Sequence, residues 1–395
     1  MLRNVFSRDY LFYGSSIVIG RGLEYVVLFF AANYLSKTNY GDLEFYKKVI
    51  EVGSSVLAFG FPALLLSYTR SEESKDYFYF LMMMMVMGIG ITASIFLGFF
   101  NFLFLLIPFL FYACFFTGGI TQTYILVTKG SSAASKYKII ISVLFYGIVF
   151  LSIYYFNVTS YAYVYVNYIL FPFFGIYSIF FFYRKKIQLS KLKKYWRLLK
   201  KLLYGSLTLV ISNFANLMFL YTDIFIIKLF SSQSSIDIAN YSFALNVGGL
   251  LLLIPMTLVQ VDIEKLKNNY DYVGILNKRI LLLIATSAIA VVILFYVLTE
   301  FVITSYKDIF ILFLIILLAK VIQAMSPLYG TMLIVFKKYN VNLAINISTL
   351  LLNILLSYIL FKFMNIYGIA LSSVICLLIR YLWLLVEFKK QEKTF

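Results

Sequence analysis

About twelve apolar runs fill this chain, each near the ~20 residues a helix needs to cross hydrocarbon, and Lys and Arg crowd into every second gap between them. Arg70 and Lys75 fall in one such gap, Lys129, Lys136 and Lys138 in the next, and a dense run from Arg184 to Lys201 in the third. Lys265, Lys267, Lys278 and Arg279, then Lys337 and Lys338, complete the series. The alternate gaps hold only Lys37, Lys307 and Lys362, with Lys228 at a helix end. Such alternation is the positive-inside rule repeated along a polytopic protein, and it orients the chain before any motif is considered.

Composition agrees. Of 395 residues, 62% are hydrophobic and only 13% charged, with a mean hydropathy of +0.91. A soluble domain cannot hide that much apolar surface, so lipid is the expected solvent. The net charge of +17 then reads as loop charge facing anionic headgroups, not as a nucleic-acid surface. The chain has no His, which removes His-based catalysis and His proton relays. Cys114 and Cys376 each sit in an apolar run, as small buried side chains and not as a disulfide or metal pair. Arg3 and Arg8 precede the first run, which is too long for a signal peptide and reads as a retained first helix.

The expected fold is all-α: a polytopic membrane protein of about twelve transmembrane helices in two six-helix bundles, with both termini cytoplasmic. The spans read as 10–35, 40–68, 77–99, 102–128, 138–156, 161–183, 203–230, 236–262, 278–298, 308–336, 341–361 and 365–388. The domains follow as an N-terminal bundle over 1–183, a basic amphipathic linker over 184–202 and a C-terminal bundle over 203–395. In the linker, Leu189, Leu192, Trp196, Leu199 and Leu203 recur at helical spacing between Lys193, Lys194, Arg197, Lys200 and Lys201, as in a helix lying on the inner leaflet. Tyr13-Gly14-Ser15 and Tyr204-Gly205-Ser206, Asn39-Tyr40 and Asn240-Tyr241, and Pro62 and Pro255 recur in the same order in the two halves, suggesting a duplicated unit. All five prolines, Pro62, Pro108, Pro172, Pro255 and Pro327, fall inside spans, where proline bends a helix.

Ionisable groups deep in lipid spans are expensive and mark candidate sites. The cations are Arg21, Lys47, Lys48, Lys320 and Arg380, and the acids Glu24, Glu51 and Asp223. Arg21 with Glu24 and Lys47 with Glu51 are spaced to pair on one helix face. That leaves Lys48, Lys320 and Arg380 without a partner on their own helix, and Asp223 with only Lys228 near. A polar cavity with a positive bias follows, suited to a phosphate or pyrophosphate head. Asn213, Asn216, Asn246, Gln260, Gln323 and Asn353 add hydrogen-bonding capacity within spans, either for substrate hydroxyls or as interhelical glue. The sequence holds no nucleotide-binding loop, so active transport by this chain alone would draw on an ion gradient or the membrane potential, with Glu24, Glu51 and Asp223 as groups able to bind Na+ or H+.

The stretch Tyr221-Thr222-Asp223-Ile224-Phe225-Ile226-Ile227-Lys228-Leu229-Phe230, followed by Ile238-Ala239-Asn240-Tyr241-Ser242-Phe243-Ala244 and Ile254-Pro255, resembles spans 7 and 8 of Wzx-type O-antigen and polysaccharide flippases of the multidrug/oligosaccharidyl-lipid/polysaccharide (MOP) exporter superfamily. Tyr40-Gly41-Asp42, with Phe59-Gly60-Phe61-Pro62 further on, resembles the matching N-terminal region. Ser231-Ser232-Gln233-Ser234-Ser235 stands where the family's loop usually carries a Gly. The resemblance implies a V of two six-helix bundles around a cationic cavity, and a flippase moving undecaprenyl-pyrophosphate-linked oligosaccharide, an O-antigen or capsule repeat unit, across the bacterial inner membrane. It implies substrate roles for Arg21, Lys47, Lys48 and Lys320, ion coupling at Asp223, no cofactor or metal, and polysaccharide polymerase or chain-length partners. A multidrug/cation antiporter of the same superfamily calls for an acid-rich cavity. A membrane-embedded O-antigen polymerase is an enzyme with a large outer loop, whereas the outer loops here are short: Ser36–Asn39, Asn157–Ser160 and Lys362–Asn365.

Overall fold

A computed structural model describes residues 8–67, 71–253, 255, 258–259, 266 and 272–392. Arg3, Arg70, Gln260, Lys265 and Lys267, and Ile254 of the resemblance motif, lie outside the described residues. The helices run α1 Arg8–Tyr34, α2 Lys37–Ala58, α3 Phe61–Ser67, α4 Glu72–Phe99, α5 Leu106–Cys114 and α6 Ile120–Tyr154. They continue as α7 Ala162–Arg184, α8 Leu189–Phe230, α9 Ser234–Gly249, α10 Tyr272–Val297, α11 Phe310–Val335 and α12 Tyr339–Glu392. No strand occurs among the described residues.

Seven of the described helical stretches are long and apolar enough to cross a membrane, and only 22% to 50% of the residues in their apolar windows are buried within the protein. The rest of that surface needs lipid, so the chain is an all-helical, multi-pass membrane protein. Helix α2 falls outside the seven for a visible reason: Lys37, Asp42, Glu44, Lys47, Lys48 and Glu51 all lie in its 22 residues.

Several expected spans are broken or merged. The run 40–68 divides after Ala58, where Phe59 and Gly60 take positive φ, and resumes as α3. Pro62 is the second residue of α3, where its missing N–H has no intrahelical partner to lose. The run 102–128 also fails as one helix: α5 stops at Cys114 and α6 starts at Ile120. Gly118, at φ +83°, adopts the left-handed backbone that glycine enters without Cβ strain. Pro108 lies in the first turn of α5, so of the five prolines only Pro172 and Pro327 stand in the interior of described helices. The ranges given for α6 and α12 each join two helices: non-helical backbone separates them at Gly130 and at Asn365, the second beside the loop expected between the spans 341–361 and 365–388, and the two halves of α12 touch through Ser357 and Ser372.

The chain forms two compact units, Met1–Ala31 with Leu43–Val210, and Ala32–Asp42 with Ile211–Phe395. An aromatic cluster fills the first. The Phe111, Phe145, Phe116 and Tyr112 rings pack with centroids 4.2–6.5 Å apart, and Phe174 lies edge-on to Phe111. In the second unit α11 packs chiefly on α12, and Phe295 stacks on Phe313 at 3.8 Å.

The segment 32–42, the end of α1 and the start of α2, is part of the second unit. Tyr40 is fully buried there, edge-on to Tyr306 and within 3.4 Å of the Asn246 amide. Lys37 lies 5.0 Å over the Tyr306 ring, and Asp42 accepts from Ser235 Oγ at 2.6 Å and Lys228 Nζ at 3.3 Å. A Cβ on Gly41 would overlap the carbonyl oxygen of Ser235, so only glycine permits this approach. Gly41→Leu is expected to destabilise the second unit by at least the ~1–3 kcal/mol of ordinary overpacking, because the obstructing atom is backbone. Earlier thermal exposure of the buried Cys376 thiol to a maleimide dye checks it; an unchanged exposure temperature refutes it.

Candidate functional site

In the first unit the mid-span charges converge from α1 and α2. Glu24 Oε2 accepts from Arg21 at 2.8 Å, and Glu24 Oε1 from Lys47 at 2.7 Å. Lys47 is almost wholly buried and lies 5.9 Å over the Tyr163 ring. Lys48 pairs with Glu51 at 3.7 Å. The expected pairing of Lys47 with Glu51 is therefore replaced. Lys47 is turned toward α1, and the partner Lys48 was expected to lack stands three residues ahead of it. Spacing along α2 allows either lysine to reach Glu51, and the packing of α1 decides between them.

One acid was missed. Glu44 is fully buried, one turn before Lys47 and Lys48 on α2. It lies two turns into α2, on the outer part of the run 40–68, where a carboxylate reads as an interfacial charge. Helix α1 approaches α6 closely: Lys138 Cε would stand 3.5 Å from a Cβ at Gly20. Arg21, Lys47, Lys48 and Lys138 thus share this part of the unit with Glu24, Glu44 and Glu51. Arg21 has the most open side chain of the ion-paired set, 56% exposed against 11% for Glu24.

In the second unit the charges organise around Asp223 on α8. Its carboxylate accepts from Tyr241 Oη at 2.5 Å, Ser373 Oγ at 2.7 Å and Asn353 Nδ2 at 3.2 Å. The expected neighbour Lys228 instead reaches Asp42. Five residues separate Asp223 from Lys228, about 500° of helical turn, which puts them on different faces. Behind this first ring of donors, the Ser357 and Ser372 hydroxyls contact each other, and Ser372 lies 3.4 Å from Asn353 Oδ1. Ser357, Ser372 and Ser373 carry no signal in the sequence, since neutral hydroxyls are common in spans, and Tyr241 is marked there only by the internal repeat and the resemblance stretch.

Asp223, Tyr241, Ser373, Lys320 and Gln323 line one small cavity with Phe219 and Leu377. Its ≈ 20 Å³ is room for about one water or a bare cation. Lys320 donates to Gln323 Oε1 at 2.9 Å, a partner on its own helix that its mid-span position did not announce. Arg380 does not line the cavity. It stands one turn along α12 from Leu377, with its Nε buried and without a hydrogen-bond partner among the described residues. The in-span amides divide: Asn353 and Gln323 hold charged groups, while Asn246 bonds the Tyr40 hydroxyl between elements.

Known structures share this fold. An inward-facing multidrug resistance MATE family transporter of the MOP superfamily matches with a TM-score of 0.68 at 14% identity, over 95% of this chain and 96% of its own. The inward closed form of the lipid II flippase MurJ matches at 0.62 and 16% identity, over 96% of this chain and 87% of its own. An outward-facing MATE transporter matches at 0.62 and 13% identity, over 98% and 97%. These proteins are transporters and a flippase, not enzymes, and at such identities the likeness is one of fold. No curated protein sequence matches the chain. The pattern of the polysaccharide biosynthesis protein family matches residues 6–263. That match covers well over half of an all-helical chain with the fold of MOP transporters, and the chain belongs to the polysaccharide biosynthesis protein family.

Proposed function

We propose that the chain is a flippase moving an undecaprenyl-pyrophosphate-linked oligosaccharide, an O-antigen or capsule repeat unit, across the bacterial plasma membrane by alternating access. The observation that carries this reading is the sharing of Glu24. One carboxylate answers both Arg21 and Lys47; counting Glu44, Glu51, Lys48 and Lys138 in the same part of the unit, four cations face three acids, and Arg21 is the exposed member of the ion-paired set. A half-exposed guanidinium at that depth, sharing its counter-ion with Lys47, suits an anionic ligand, and its planar fork fits a phosphate bidentately. Membership of a polysaccharide biosynthesis family makes a lipid-linked sugar phosphate the natural anion.

The same reading takes the chain as about twelve spans with cytoplasmic termini, following the alternation of loop charge. Lys48, Lys320 and Arg380 add positive charge along the substrate's route. Asp223, with Glu24 and Glu51 as further acids, is the coupling group for Na+ or H+. Around Asp223 the carboxylate and hydroxyl oxygens form the hard donor set that an alkali cation takes. A polysaccharide polymerase acts next on the product at the outer face.

Deleting the gene is expected to stop surface polymer and leave lipid-linked units at the inner face. Units that still reach the outer face in a null strain without a redundant flippase would overturn the reading. Arg21→Ala and Lys320→Ala are each expected to lower surface polymer at least tenfold at unchanged membrane insertion, about the effect of losing one charged hydrogen bond to a phosphate. Normal polymer in both single variants and the double variant removes these two residues from the site.

A further inference from the structure

Helix α8 begins 21 residues before its apolar stretch, which runs from Val210 to Phe230. Between Arg184 and Lys201 the chain carries nine cations and no acid. Two of the nine are neutralised by α4 of the same unit: Lys185 pairs with Asp76 at 2.9 Å and Lys191 with Glu73 at 2.8 Å. The Lys191 ammonium is accordingly held above its ordinary pKa by its bond to Glu73.

The packing also fixes how this segment is rotated. Tyr195 is buried and stacks on Tyr77 at 4.4 Å, and Leu199 is fully buried one turn on. Trp196, expected on the stripe that faces the inner leaflet, stands on an exposed flank, 40% open. At 100° per residue, Trp196, Lys200, Lys193, Tyr204 and Arg197 fall within about 100° of one another, facing away from Tyr195. All five are exposed, and Tyr204 is 70% open. Three cations flanked by a Trp and a Tyr, just outside the apolar stretch of a membrane helix, combine the two preferences of the headgroup region: aromatic rings at the interface and fixed positive charge toward lipid phosphate.

We propose that this face of α8, built on Lys193, Arg197 and Lys200 with Trp196 and Tyr204 beside them, binds the phosphate headgroups of anionic phospholipid in the leaflet on which the segment lies. The occupant is lipid because the charge is complementary to an anionic headgroup and because the face continues directly into a membrane-crossing stretch. The acids of α4 act only on the other side of the segment, holding it in this rotation through Lys185 and Lys191.

The chain has two tryptophans, Trp196 and Trp383, so Trp383→Phe leaves Trp196 as the single fluorescent reporter of this face. The full chain is reconstituted in phosphatidylcholine vesicles containing equal fractions of acyl-brominated phosphatidylglycerol or acyl-brominated phosphatidylcholine. Trp196 is expected to be quenched about two- to threefold more by the anionic lipid, and the preference to shrink as salt is raised. K193Q/R197Q/K200Q brings the ratio to unity, whereas K337Q/K338Q, which removes two exposed cations elsewhere, preserves it. Equal quenching by both lipids in the single-tryptophan protein, or a preference that survives K193Q/R197Q/K200Q, overturns the proposal.

Discussion

Replacing Lys47 by methionine is expected to destabilise the first unit by about 3–5 kcal/mol, the usual cost of removing one partner from a buried ion pair. Methionine fills much of the same volume, so the loss is electrostatic. Glu24 keeps only Arg21, whose side chain is 56% exposed, and one carboxylate oxygen is left desolvated. The chain supplies its own reporter, because Cys114 and Cys376 are both buried and lie in different units. In a Cys376→Ala background, thermal exposure of Cys114 to a maleimide dye is expected to come on the order of 10 °C earlier in Lys47→Met. In a Cys114→Ala background Cys376 should be little affected. Combining Glu24→Gln with Lys47→Met removes the stranded charge and is expected to recover part of the loss. An unchanged Cys114 transition in Lys47→Met shows that Glu24 does not depend on this partner.

The second large effect is expected at Asp223. Asp223→Ala leaves the hydroxyls of Tyr241 and Ser373 and the Asn353 amide without their acceptor. With each of the three buried orphans costing about 1–3 kcal/mol, a loss of roughly 3–9 kcal/mol follows, read as early exposure of Cys376. Asp223→Asn separates structure from function. It keeps the volume and one carbonyl acceptor but carries no charge to exchange for a cation. It is expected to insert and melt near the parent while surface polymer export falls at least tenfold and loses its dependence on Na+ or pH. Export with the parental ion dependence in Asp223→Asn removes Asp223 from coupling.

The residues that matter in these two predictions were visible in the sequence, but their partners were not. Lys47 and Glu24 are 23 positions apart, and Asp223 reaches Asn353 and Ser373 across 130 and 150. Arg21 with Glu24 was legible because three residues of helix put both on one face. Lys47 with Glu51 satisfied the same spacing rule, yet the structure gives Lys47 to Glu24 and Glu51 to Lys48. A pair within one helix is open to any residue within reach on that face. A neighbouring helix can outbid it by burying the charge more deeply and meeting it more closely. Trp196 and Tyr195 follow the same logic: adjacent residues differ by 100° around the helix, and only the position of Tyr77 on α4 selects which ring is buried.

The sequence by itself determined that this chain lives in lipid, that it is helical, and that charges such as Lys47 and Asp223 fall within its apolar runs. Those properties follow from local composition, because each apolar run must satisfy its own backbone hydrogen bonds wherever it lies in the protein. Helix breaks were only partly local: Pro62 stands two residues past the break at Phe59–Gly60, but Pro172 and Pro327 stay inside helices. What only the tertiary structure decided was rotation and partnership. It drew residues 32–42 into the second unit, turned Lys47 toward α1, and gathered four helices' side chains around Asp223. Rotation about a helix axis leaves local composition unchanged, so it is settled only by what each face meets.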